Sequence, residues 1–134
     1  MDLKNQFIRG KMFDPRNLKG NYRVKMCSGS PMMVHFMNLL GDCKVFERRG
    51  DRVFGHNVLG GFITWGYFVV GRSICQTTGL EVVEINYNLD KNLFSRNIRD
   101  HIREVASGTY IGKFNLERKD GKLVFLGHFT LTKT

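Results

Sequence analysis

The residues best equipped for chemistry stand together at Arg99-Asp100-His101-Ile102-Arg103. A carboxylate beside an imidazole can orient the ring and tune its pKa, as general acid–base sites need. On a helix, however, sequence neighbours do not face each other. Arg99 and Arg103 would lie one helical turn apart and could clamp an anionic head group. The plainer alternative is a surface helix with an intrahelical ion pair. His128, between Gly127 and Phe129, could bind the polar end of a ligand if its ring points inward. A lone strand histidine is more often a half-buried hydrogen-bonding residue. His35 and His56 are similarly isolated.

Other chemistries find little support. There is no H-x-H, HExxH or Cys/His pairing for zinc, so no metal ligand is assigned. Ser28-Gly29-Ser30 and Gly60-Gly61 lack phosphate-loop spacing, and no G-x-S-x-G elbow is present. A cysteine nucleophile would need a histidine partner that spacing alone does not reveal. No catalytic residue is assigned, and the cofactor question stays open. The aromatic run Phe62-Ile63-Thr64-Trp65-Gly66-Tyr67-Phe68 suits a barrel wall. Trp65 and Tyr67 share a parity and could line a pocket or anchor at a membrane interface. Gly66 would let the strand bend or a ligand approach the backbone. Ordinary core packing is the alternative.

The elements that must position these residues are mostly strands. Tyr22, Val24 and Met26 alternate with polar residues from Asn21 to Cys27. Pro31–Leu40 reads as a helix, with Ser30 as N-cap, Pro31 at the first position and Gly41 after the end. It is apolar nearly all round, so it is either buried or covers an apolar opening. Residues 43–48 and 51–56 form a hairpin about Arg49-Gly50. Phe62 to Val70 and Leu80 to Tyr87 are further strands. Thr109 to Glu117 and Lys122 to Lys133 form the last hairpin, turning at Lys119-Asp120-Gly121. In its final strand Leu123, Phe125, Gly127, Phe129 and Leu131 are expected on one face. Phe94, Ile98, Ile102 and Val105 have helical spacing, so a helix is expected from about Leu93 to Arg103, although Ile98, Asp100 and Ile102 could alternate in a strand. Residues 2–12 form a possible amphipathic helical extension, with Leu3, Phe7 and Met12 on one face.

Composition bounds the partners. The 134 residues make one domain, 1–134. A net charge of +9 favours an anionic partner, but the basic residues are scattered and no nucleic-acid arm is present. The aromatics sit in apolar strands rather than between Lys and Arg, which counts against nucleic acid as a partner. An odd count of three cysteines argues for a reducing compartment. No signal-peptide core or transmembrane run is seen, so a soluble cytoplasmic protein is expected.

The segment Met12-Phe13-Asp14 through Leu18-Lys19-Gly20-Asn21-Tyr22 resembles the opening motif of the lipocalin and calycin superfamily. There a short turn plugs the barrel base and Gly-x-Trp begins the first strand. Tyr22 stands in place of the Trp, and Lys133 is the nearest candidate for the Arg that closes over it. A helix after the first strand is similar to the fatty-acid-binding branch. The order also resembles the small domains named for a G-x-W-x-G motif, through Leu18 to Tyr22, Arg99 to Val105 and Tyr110-Ile111-Gly112-Lys113-Phe114. Val24 replaces that motif's second Gly.

The resulting expectation is a mostly β fold, an antiparallel calycin/lipocalin-like barrel of seven to eight strands with one or two short helices. Its lumen would bind a small hydrophobic or amphipathic ligand. Trp65, Tyr67, Arg103, Tyr110 and His128 are the candidate ligand-binding residues. Met33, Phe36 and Met37 are the candidate lid, since methionine repacks around varied shapes. The resemblance also implies haem as one possible ligand for a barrel-lining His128. Two alternatives stand: an acid–base enzyme of isomerase or cyclase type using the cavity near His101 or His128, and a basic nucleic-acid or membrane-surface module. An anionic membrane surface is a possible partner, and the protein is expected to be a monomer or weak dimer.

Overall fold

The computed structural model describes residues 2–134. Eight antiparallel strands run in sequence order and close on themselves, β1 pairing with both β2 and β8. They are β1 (Gly20–Met26), β2 (Asp42–Arg49), β3 (Arg52–Leu59), β4 (Ile63–Ile74), β5 (Glu81–Asn86), β6 (Ile98–Ala106), β7 (Thr109–Glu117) and β8 (Leu123–Lys133). Helix α1 (Leu3–Arg9) lies on the outer wall, and α2 (Pro31–Leu40) joins β1 to β2. Full closure removes the unpaired strand edges of an open sheet. The expected fold class is thus found, and the architecture is compatible with a calycin-like barrel.

The lower half of the barrel is solid. Phe13 and Leu18 plug its base, with a short 3-10 turn at Pro15–Asn17 between them. Phe13 meets Tyr110 at 4.7 Å between ring centroids, and Tyr22 packs edge-on to Phe46 at 5.3 Å. Phe129 lies over Gly112, where a Cβ would fall 2.2 Å from its ring. Glycine there lets the ring cross the lumen. Outside, Phe7 of α1 packs on Cys75, Val82 and Ile111, with Leu3 against the cluster. Strands β5 to β7 are therefore covered on both faces, which is why neighbours Val82 and Val83 are both buried.

Three register shifts correct the sequence expectations. In β4, Trp65 pairs with Asn57 and Tyr67 with His56, leaving Gly66 as an extra residue at φ +61°. Such a bulge breaks the two-residue side-chain period. Trp65 consequently points into the barrel and Tyr67 outward, although their parity matches. A shift between β7 and β8 likewise leaves Leu126 unpaired. Phe125 lies outside against His128, while Phe129 fills the lumen. The third shift, at Val105 in β6, accompanies a bridge from Lys11 to Glu104.

The helix expected from Leu93 to Arg103 is a loop followed by strand β6. Ile98 and Ile102 face the core with Asp100 between them, and β6 is paired along its length with β7. Tertiary pairing outweighs the helical spacing. Asn92 organises the preceding loop: it accepts from the Tyr67 amide (2.8 Å) and donates to the Tyr67 and Tyr87 carbonyls (2.6 and 2.7 Å). The α2 bounds match expectation, but the Ser30 side chain makes no capping bond. The extension at 2–12 is helical only over Leu3–Arg9, and Met12 lies beyond it against the interior core.

Candidate functional site

Beneath α2, at the upper end of the barrel, lies a cavity of about 280 Å³. Met26, Leu59, Trp65, Ile98 and Phe114 form its walls and Met33 and Met37 its roof. No polar surface lines it. Asn38 fastens the roof to the wall, accepting from the Met26 amide and donating to the Met26 carbonyl, both at 2.9 Å. Wider recesses of about 490 and 610 Å³ lie beside α2 and open to solvent. Of the three, only the smaller cavity has walls without polar surface, the lining that favours an apolar ligand.

A charged cluster sits within the barrel. Lys44 Nζ donates to Asn57 Oδ1 (2.7 Å) and Tyr87 Oη (2.6 Å), and pairs with Asp100 Oδ2 at 3.4 Å. Asn57 Nδ2 donates to Tyr87 Oη (2.9 Å) and the Gly66 carbonyl (3.1 Å). Tyr87 Oη donates to Asp100 Oδ2 at 3.4 Å. The Lys44 ammonium also lies 5.3 to 5.6 Å from the ring centroids of Tyr87, Phe68 and Phe129. Burial opposes its charge, yet Tyr87 and Asp100 hold its pKa above the ordinary lysine value. Burial pushes Asp100 up, with Lys44 opposing. Asp100 Oδ1 has no partner. At the mouth, burial also raises Asp42, partly offset by Lys44 and Trp65. Trp65 stacks on Tyr87 at 6.2 Å and so links the cavity to this cluster.

The candidate residues divide between inside and outside. Trp65, Met33 and Met37 line the cavity. Tyr110 is inside but lies in the plugged base with Phe13 and Tyr22. Tyr67 is outside, its ring 4.1 Å from Lys91 Nζ. Phe36 is exposed on α2 and does not line the cavity. Arg103 is buried outside the barrel, where it donates to the Glu81 carbonyl (2.6 Å) and the Gly10 carbonyl (2.5 Å) and ties down the end of α1. His128 faces outward, its amide donating to Ser28 Oγ (2.8 Å) and its ring 4.8 Å from Phe125. Burial and Lys113 lower its pKa. It therefore does not line the lumen as a haem ligand must.

Asp100 and His101 are both buried but occupy opposite faces of β6. Asp100 joins Lys44 inside, and His101 pairs with Glu84 outside. Neither faces solvent, and neither faces the other. Sequence reasoning missed Lys44, Asn57 and Tyr87. The usable signal was parity: Lys44 shares its face with Phe46 in β2. Among the described residues no group of three His, Cys, Asp or Glu is placed to hold a metal ion. No family model matches the chain, nor does any curated protein or solved structure.

Proposed function

We propose that this barrel binds a small, uncharged hydrophobic molecule in the cavity under α2. The carrying observation is the wholly apolar lining of about 280 Å³ over an already paired polar cluster. This volume lies at the lower edge of ligand pockets, which span roughly 300–1,000 Å³, so the ligand is compact. A charged head would meet no polar wall and would stay poorly solvated. Calycin kinship is part of this reading. It is supported by Lys133, whose ammonium lies 4.9 Å from the Tyr22 ring centroid and bonds the Lys19 carbonyl at the barrel base. Three free cysteines support a reducing, cytoplasmic setting.

Trp65 is the chain's single tryptophan, so its fluorescence reports directly on the cavity. Native mass spectrometry of purified protein should show a retained neutral molecule, and titration with small apolar probes should give saturable change in Trp65 emission. Ile98→Trp should abolish retention by filling the cavity while the far-ultraviolet spectrum stays β. Absence of both a retained molecule and any saturable response sinks the reading. Conversion of the probe to product would instead favour an acid–base enzyme working through Asp100, whose second oxygen is unpartnered.

A membrane surface as the delivery partner is supported by the end of the barrel that holds the mouth. Met32, Phe36, Leu39, Phe62, Ile63, Leu93 and Phe94 are all exposed there, Phe94 at 94%. Single exposed apolar residues are ordinary, but this many at one end of a chain of charge +9 fits an anionic bilayer. No helix among the described residues is long and apolar enough to cross a membrane.

A further inference from the structure

Helix α1 packs over β5 to β7 and leaves the outer face of β2 to β4 without that cover. The outward positions of β3 are Arg52, Phe54, His56 and Val58, because Val53, Gly55 and Asn57 between them are buried. Pairing sets Arg49 beside Arg52 and Tyr67 beside His56. The Gly66 bulge is what turns Tyr67 to this face, so rings that sit in apolar strands by sequence acquire basic neighbours in space. The Arg49 and Arg52 guanidiniums lie 5.8 and 5.2 Å from the Phe54 ring centroid. Lys91 Nζ lies 4.1 Å from the Tyr67 centroid, and the His56 ring 6.0 Å from Tyr67.

Cations close both ends of this row of rings. Beyond Val58 the face runs into the open recess of about 490 Å³, where Arg23, Lys25 and Cys43 stand near Leu40 of α2. At the other end, Arg49 and Arg52 are directly opposite in the β2–β3 hairpin. Like charges so placed repel, and an anion held between them removes that cost. Arg23, Lys25, Arg49, Arg52 and Lys91 are all exposed, and none makes an ion pair among the described residues. Glu47, opposite Phe54, is the one carboxylate at the outward positions of β1 to β3. From Val58 to Arg52 the row spans roughly 20 Å of strand.

We propose that this outer face binds single-stranded nucleic acid, a function separate from the cavity under α2. Arg23 and Lys25 at one end, and Arg49 and Arg52 at the other, take phosphates. Tyr67, His56 and Phe54 between them offer faces on which bases stack, and the guanidiniums on Phe54 add planes of the same use. Stacking of this kind needs unpaired bases, and a flat sheet face carries no helix to enter a duplex groove. The large exposed apolar side chains that suit a bilayer are absent from the outward positions of β2 and β3.

The test titrates fluorescein-labelled oligothymidine of about twelve nucleotides against the protein and reads anisotropy at several salt concentrations. The logarithm of affinity should fall against that of salt with a slope near −3, about 0.7 for each of roughly four phosphates. Arg49→Glu with Arg52→Glu should make the slope shallower by about 1.4. Tyr67→Ala should weaken binding about tenfold and leave the slope unchanged, with Trp65 emission confirming the fold. In the unsubstituted protein, saturating oligonucleotide should slow alkylation of Cys43, the native thiol of the recess. A duplex of equal length should compete about tenfold less well. Affinity unchanged in Tyr67→Ala, equal competition by duplex, or Cys43 left unprotected overturns the proposal. Loss of flotation on phosphatidylserine vesicles in the Arg49→Glu, Arg52→Glu variant, with oligonucleotide binding intact, overturns it too and gives the face to the membrane.

Discussion

Lys44 brings a charge into the barrel and leaves none of it unopposed, with Asn57, Tyr87 and Asp100 as its partners. Removing one member therefore costs more than the pair contributes, because the other is stranded without water. Lys44→Met should destabilise the fold by about 3–5 kcal/mol, read from the urea midpoint. The double variant with Asp100→Leu should lose less than the two single losses summed, since no buried charge remains. Equal or greater loss in the double variant would show that the pair is not coupled. Tyr87→Phe keeps the ring stack on Trp65 but deprives Lys44 and Asn57 of an acceptor, and should cost about 1–3 kcal/mol.

At the scale of elements, α2 presents two unlike faces. Met33 and Met37 roof the cavity, while Met32, Phe36 and Leu39 face solvent. Joint replacement of Met33 and Met37 by Ala should weaken probe binding about tenfold, each lost buried CH₂ being worth about 0.8 kcal/mol before relaxation. Phe36→Ala should leave binding unchanged; both are read by Trp65 fluorescence. The β4 bulge makes a separate demand. At Gly66 a Cβ would stand 2.9 Å from the Tyr87 ring at a φ of +61°. Gly66→Ala should lower stability by about 1–3 kcal/mol in thermal unfolding, through strain and contact together. Similar stability with an intact bulge would mean that Tyr87 shifts freely.

For the molecule as a whole, the proposed membrane partnership rests on the exposed apolar end together with the charge of +9. Flotation should show the protein on vesicles containing phosphatidylserine and not on neutral ones, with binding falling as salt rises. Phe62→Ser with Phe94→Ser should remove it while Trp65 still reports probe binding. Binding that ignores both lipid charge and salt would remove the electrostatic basis of the partnership.

Local patterning determined most of the architecture. Alternation in residues 21–27 and 80–87, the Asp120-Gly121 turn, and the Pro31 and Gly41 bounds of α2 each rest on backbone geometry and short-range burial. Which face each strand residue occupies was legible only where the two-residue period is unbroken. A single extra residue at Gly66 or Leu126 inverts it, and neither bulge alters composition or spacing. The segment Leu93–Val105 was ambiguous for a related reason: its helical spacing yields to β6 only because β5 and β7 supply pairing partners. The two polar clusters were hidden most completely. Their members come from different strands, and only pairing within the barrel puts Lys44 beside Asp100, and Glu84 beside His101, on opposite sides of one wall.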